Sequence, residues 1–211
     1  MNAQCPNIVF VIDDDVSVRK ALGRLLRAAG HAFESFPSAS AFLARPLVVW
    51  PSCVILDLRM PGLDGLELQQ LLAATGRNES IIFITGHGDI PTCAKAMKAG
   101  AIDFLPKPFR DGDLLDAIAR SLQRSQSLWR EHTERTKTQT LVDQLTPRER
   151  EVMELVVAGK LNKQIAAELG ASEKTIKVHR GRVMQKMQVF SVAELVRLTE
   201  SVGIHPDRTK V

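Results

Sequence analysis

Cysteine is scarce in this chain, with three residues, Cys5, Cys53 and Cys93, among 211. Three is an odd number, and the spacing matches no disulfide framework. Cys53 and Cys93 fall in a predicted strand and a predicted helix, so both are expected as reduced core thiols rather than bridges or metal ligands. No apolar run approaches the roughly 18 residues a membrane span needs. The N-terminal Met1-Asn2-Ala3-Gln4 carries no positive charge, and the apolar run behind it ends in three aspartates. No secretory signal is expected. Internal repeats and low-complexity tracts are absent too. These absences point to a reducing cytoplasm and to no membrane partner.

Hydrophobic residues make up 45% and charged residues 25% of the chain, ordinary for a globular protein of one large or two small domains. The charge is unevenly placed. Residues 1–125 hold 13 Lys and Arg against 13 Asp and Glu, whereas residues 142–211 hold 12 against 9 and supply most of the net +4. A neutral first half and a basic second half hint at nucleic acid, weakly on charge alone.

In the first 110 residues short apolar runs alternate with helical patterns. Strands are predicted over residues 8–12, 32–36, 53–56, 81–85 and 102–105, and helices over 16–29, 38–43, 66–75 and 91–98. Gly30, Gly62, Gly86, Gly88 and Gly100 punctuate the junctions. Five strands with intervening helices predict a doubly wound parallel sheet in the α/β class. Right-handed crossovers then place every strand's C-terminal end on one edge, where open α/β sheets keep their chemistry. Asp13, Asp14, Asp57, Thr85 and Lys107 would converge there. From Asp111 the apolar positions Leu114, Leu115, Ile118, Leu122 and Leu128 keep helical spacing. The polar run that follows reads as a solvated continuation of that helix, with a flexible coil as the alternative. Twenty-five helical residues would span roughly 38 Å.

Two strands ending in carboxylates make a pocket suited to a hard divalent cation with oxygen ligands. A carboxylate that attacks phosphorus needs a cation between itself and the phosphoryl group, a second cation on the phosphoryl oxygens, and a hydroxyl or amide donor. Asp13 and Asp14 can hold Mg²⁺, Lys107 supplies the second cation, and Thr85 the hydroxyl. Asp15 reads equally well as the N-cap of the next helix. Asp64 and Asp89 read as turn or cap residues, and His87 as a loop histidine rather than a ligand.

Val11-Ile12-Asp13-Asp14-Asp15, Leu56-Asp57-Leu58-Arg59-Met60-Pro61-Gly62, Ile84-Thr85-Gly86-His87-Gly88-Asp89 and Asp103-Phe104-Leu105-Pro106-Lys107-Pro108-Phe109 together resemble a response-regulator receiver domain, over about residues 6–125 and most like the FixJ subgroup. The resemblance implies a flavodoxin-like receiver fold with Asp57 as phosphoacceptor. It implies Asp14 as a direct Mg²⁺ ligand, Asp13 acting largely through water, and the Arg59 backbone carbonyl completing the site, with Mn²⁺ as a possible substitute. Thr85 and Lys107 would contact the phosphoryl group, and Phe104 matches the switch aromatic. The Lys107–Pro108 bond is cis in relatives. The implied dimer surface is residues 94–99 with 101–105.

From Leu145 the chain reads as four helices. Thr146-Pro147-Arg148-Glu149 looks like an N-cap, a Pro at the first helical position and acidic support. Asn162 is read as the cap of a short helix to Leu169, and Ser172 as the cap of a third helix over 173–187. A fourth covers 192–201. The second and third have helix-turn-helix form. Lys174, Lys177, Arg180, Arg182 and Lys186 make the third helix basic, and Lys177, Arg180 and Arg182 could reach phosphates or base edges. The segment from Leu145 to Val152, with Asn162-Lys163-Gln164-Ile165-Ala166 and Lys174-Thr175-Ile176-Lys177-Val178-His179, resembles the LuxR-type DNA-binding domain over residues 143–205. By matching position Lys177 and Val178 would face bases, and Lys163 and Thr175 would lie near phosphates. Gly181 departs from the basic or polar residue relatives often carry there.

The expected function is a transcriptional response regulator of a two-component system. A sensor histidine kinase would phosphorylate it, and phosphorylation would favour a homodimer on double-stranded promoter DNA. It would act as an activator with RNA polymerase, and would not be an enzyme beyond self-phosphorylation and autodephosphorylation. Residues 126–142 would link the domains. The competing enzyme reading, a haloacid-dehalogenase-type phosphatase or mutase, needs a second Asp two residues after Asp57. That position is Arg59.

Overall fold

The computed structural model describes residues 7–46, 51–77, 79–86 and 90–205. Cys5, His87 and Asp89 lie outside the described residues. The chain forms two compact units that divide between Trp129 and Arg130.

In the first unit β1 (Ile8–Ile12), β2 (Ala32–Phe36), β3 (Ser52–Asp57), β4 (Ser80–Thr85) and β5 (Asp103–Pro106) form one sheet in the order β2-β1-β3-β4-β5. Every pairing is parallel. The helices between them are α1 (Val16–Ala28), α2 (Ala39–Leu43), α3 (Gly65–Ala74) and α4 (Ile90–Lys98), and α5 (Asp111–Asp143) follows. The central strands are apolar at nearly every position because both faces are covered. Val9, Val11, Cys53, Ile55, Ile82 and Ile84 pack against Leu22 and Leu26 of α1 and Leu114, Ala117 and Ile118 of α5. Their alternating neighbours Phe10, Ile12, Val54, Leu56 and Phe83 pack on the other face against Phe42, Leu68, Leu72 and Ala96. The period-2 side-chain alternation therefore splits one apolar sheet into two cores. Cys53 is buried in β3, where burial pushes its thiol up to about 12, and Cys93 lies in α4; both are free.

The expected strands and helices stand in order, β1 and β2 with the expected ends and the others with ends shifted by at most one residue. Asp57 is the last residue of β3 rather than the residue after it, and α3 opens at Gly65 because Asp64 caps it. Asp64 accepts from the Glu67 amide while Glu67 returns a bond to the Asp64 amide, a reciprocal capping box. β5 begins at Asp103, and Ile102 just before it already donates to the Ile81 carbonyl at 2.7 Å.

In the second unit α6 (Pro147–Val157), α7 (Asn162–Leu169), α8 (Glu173–Lys186) and α9 (Val192–Glu200) surround a core of Val152, Met153, Val156, Ile165, Ile176, Val183, Met187 and Leu195. Val142 and Leu145 join that core, so the last residues of α5 pack there. The reading of Asn162 as a cap is corrected. Leu161 is the N-cap, Asn162 is the first helical residue, and Gln164 accepts from the Leu161 amide at 2.8 Å. The Asn162 side chain is committed to Arg180. Among the described residues no helix is long and apolar enough to cross a membrane.

Candidate phosphoryl site and DNA-binding surface

Four strand ends build the first site. Asp13 and Asp14 follow β1, Asp57 closes β3, Thr85 closes β4, and Lys107 follows β5. β1 and β3 are neighbours whose connections leave on opposite faces of the sheet, so their C-terminal ends open the crevice typical of the topological switch point. Asp13 is fully buried, Asp57 is 8% exposed and Thr85 1%. One oxygen from each of Asp13, Asp14 and Asp57 lies within 4.8 Å of the others, the one such acidic group among the described residues. The Lys107 ammonium donates to Asp13 Oδ2 at 2.7 Å and stands 3.6 Å from Asp57 Oδ1. Its backbone amide donates to the Thr85 carbonyl at 2.6 Å, and the Lys107–Pro108 bond is cis, as the resemblance implied.

Burial pushes the Asp57 carboxyl above its ordinary range; Lys107 opposes this, Asp13 reinforces it, the Leu58 amide opposes it, and Asp14 adds to it. Three carboxylates and one ammonium leave an excess of negative charge beside a nearly buried oxygen. The donor set is all oxygen, with no thiolate or imidazole, and its span suits a small octahedral cation. These residues therefore fit Mg²⁺. The Arg59 side chain is exposed two residues beyond Asp57. Phe104 is half-buried, its ring 6.2 Å from that of Phe83.

Two contributors escaped the sequence reading. Arg19 of α1 donates from Nη1 to the backbone carbonyls of Asp13 at 2.6 Å and Asp14 at 2.9 Å, pinning the acidic loop from below. Asp15 caps α1 through the Ser17 amide, and its own amide donates to Asp13 Oδ1 at 2.8 Å. Gly65 is the second: a Cβ there would lie 2.6 Å from the Asp57 carbonyl oxygen. Arg19 lies one helical turn past the N-cap Asp15, a spacing that could have signalled its reach. Gly65 had no local signal, because its need arises from the approach of α3 to β3.

On the second unit Lys163, Lys174, Thr175, Lys177, Val178 and Arg182 are exposed. Arg180 differs from these in its surroundings. It is half-buried, and its Nη1 donates to Asn162 Oδ1 at 2.9 Å, tying α8 to α7. Lys186 is also occupied, donating to Glu149 Oε2 at 2.6 Å and to the Gln144 carbonyl at 3.2 Å. Glu149 completes the α6 capping box with Thr146. The Lys186 bond and the Thr146 amide hold the Glu149 carboxyl down at about 2.

Comparison with known proteins gives each of the two units a family. Residues 9–119 match the family model for the response regulator receiver domain, and residues 143–199 that for bacterial regulatory proteins of the luxR family. Neither is a family of catalytic enzymes. The chain is 47% identical over 209 residues to Nodulation protein W of Bradyrhizobium diazoefficiens, covering 97% of this chain and 91% of that protein. It is 43% identical to the transcriptional regulatory protein FixJ of Azorhizobium caulinodans, covering 94% of each. Among solved structures, the response regulator StyR aligns with a TM-score of 0.85 at 49% identity, covering 92% of this chain and 98% of that one. Full-length FixJ from B. japonicum aligns at 0.54 and 42% identity, covering 93% and 97%. The match to a receiver model and a luxR-family model in order, with these regulators aligned along nearly the whole chain, shows that the chain belongs to the NarL/FixJ family of DNA-binding transcriptional response regulators.

Proposed function

We propose that a partner histidine kinase transfers a phosphoryl group to Asp57 and that this transfer controls DNA binding by the second unit. The carrying observation is the Lys107 ammonium, 2.7 Å from Asp13 and 3.6 Å from Asp57, at the mouth of a three-carboxylate cluster. An Asp57 oxygen forms a bond to phosphorus as the bond from phosphorus to the kinase imidazole nitrogen breaks, the electron pair leaving with that nitrogen. Asp14, Asp57 and the Arg59 carbonyl would hold Mg²⁺ directly and Asp13 largely through water, and the cation would offset the negative charge shared by nucleophile and phosphoryl group. Lys107 and the Thr85 hydroxyl take the remaining phosphoryl oxygens. The same pocket supports self-phosphorylation from small phosphoryl donors and autodephosphorylation.

Drawing Thr85 toward the phosphoryl group vacates space beside β4, and Phe104 follows. This favours a homodimer through residues 94–99 and 101–105. Dimerisation presents two α8 helices to a two-fold site on double-stranded promoter DNA, where Lys163, Lys174, Thr175, Lys177, Val178 and Arg182 make the contacts and phosphate neutralisation supplies most of the affinity. The protein then acts as a cytoplasmic activator with RNA polymerase. The working division is a receiver at 6–125, a linker at 126–142 and a DNA-binding domain at 143–205. Switching from 1% to 99% active requires about 5.5 kcal/mol of differential stabilisation.

The test is a binding series on duplexes selected from a random-sequence library, with and without acetyl phosphate. Acetyl phosphate is expected to tighten wild-type binding and to leave Asp57→Asn unchanged. Equal tightening of both proteins would refute control through Asp57.

A further inference from the structure

Gly181 sits in the middle of α8, where glycine makes a helix about 1 kcal/mol less stable than alanine. Glycine is required in two circumstances, a left-handed backbone or a close approach that leaves no room for Cβ. Neither operates within this chain. The φ of Gly181 is not positive, and a Cβ built on it meets no atom within 4 Å. Gly23, at the middle of α1, shows the contrast: its Cβ would lie 2.8 Å from the Phe33 ring. Gly23 serves internal packing, whereas Gly181 faces open space.

What it faces is defined by its neighbours. Lys174, Lys177, Val178, Gly181 and Arg182 follow the i, i+3, i+4, i+7, i+8 spacing of one helix face. All five are exposed, Val178 at 49%. Ile176 and Val183 are buried, and Arg180 is tied to Asn162. The stripe is therefore cationic and carries no acid. At its centre the exposed Val178 and the side-chain-free Gly181 are i, i+3 neighbours, with Lys177 and Arg182 to either side on the helix surface.

Building on the reading of α8 as the helix that enters the major groove, we infer that Gly181 is a specificity-determining residue. Its missing side chain lets the α8 backbone settle against the base edges, and the apolar surface of Val178 beside Gly181 receives the 5-methyl group of a thymine. A thymine methyl is the apolar feature of the major groove, and small apolar surfaces read it. Lys177 and Arg182, on either side, hold the flanking phosphates or acceptor edges.

The experiment compares full-length wild type, Gly181→Ala and Lys177→Ala on duplexes selected by the wild type from a random-sequence library. Gly181→Ala is expected to unfold at a higher temperature and yet bind about tenfold more weakly, the size of one lost base contact. Replacing one thymine per half-site by uracil is expected to weaken the wild type by a similar factor and to leave Gly181→Ala nearly unaffected. If Gly181→Ala binds as tightly as wild type while Lys177→Ala binds weakly, the close-approach inference falls and α8 remains the DNA-facing helix. If both variants bind as wild type, the reading of α8 falls with it. Wild-type affinity that is insensitive to uracil at every thymine overturns the methyl contact.

Discussion

Asp57 is a carboxylate at the end of a strand covered on both faces, and its surroundings make its charge costly. Burial is the largest influence on it, and Asp13 and Asp14 add negative charge that the one ammonium of Lys107 cannot balance. A divalent cation held there would relieve that excess and would couple its binding to folding. Magnesium at about 100 times its Kd is expected to stabilise the folded protein by about 2.7 kcal/mol. Thermal unfolding with and without Mg²⁺ measures this. Asp14→Asn is expected to abolish the increase, and Arg19→Ala to require more Mg²⁺ for the same increase, because the carbonyls of Asp13 and Asp14 lose their shared donor. An unchanged Mg²⁺ dependence in Asp14→Asn would remove that residue from the ligand set.

At the scale of elements, the ends of the helices carry the information. α3 and α6 each open with a reciprocal capping box, and in α6 the glutamate does a second job. Glu149 joins the start of α6 to the end of α8 through Lys186, an ion pair added to the apolar packing of the two helices. The folded-state carboxyl lies at about 2, below the ordinary 4.5. A depressed folded value means the stabilisation is complete above about 4.5 and is lost as the pH falls from there toward 2. Glu149→Gln can keep the capping box but not the charge. It is expected to lower the unfolding temperature at neutral pH and to flatten its decline between pH 4.5 and 2, as thermal unfolding across that range will show. The same dependence in both proteins would mean the pair contributes nothing. Arg180 and Asn162 tie α7 to α8 in the same manner. Side chains that look like DNA contacts in the sequence are in part the fasteners that hold the reading helix.

For the molecule as a whole, what was legible in the sequence followed from periodicity and from strand ends. Continuous apolar runs gave a sheet covered on both faces, and Asp13, Asp57, Thr85 and Lys107 converge because parallel strands share an edge. What was not legible depends on partners distant in sequence. Arg180 and Lys186 look as available as Lys177 until the fold supplies Asn162 and Glu149. Gly65 looks like any turn glycine until α3 is brought against the carbonyl of Asp57. The exposed, polar run after Trp129 left helix and coil both open in the sequence, and α5 continues through it to Asp143. In the function proposed for the molecule, one carboxylate, Asp57, accepts a phosphoryl group and governs the helix-turn-helix unit. Intact-mass spectrometry after incubation with acetyl phosphate and Mg²⁺ tests it most directly. A single phosphoryl adduct is expected on wild type and none on Asp57→Asn; no adduct on wild type, or the same adduct on both proteins, would contradict transfer to Asp57.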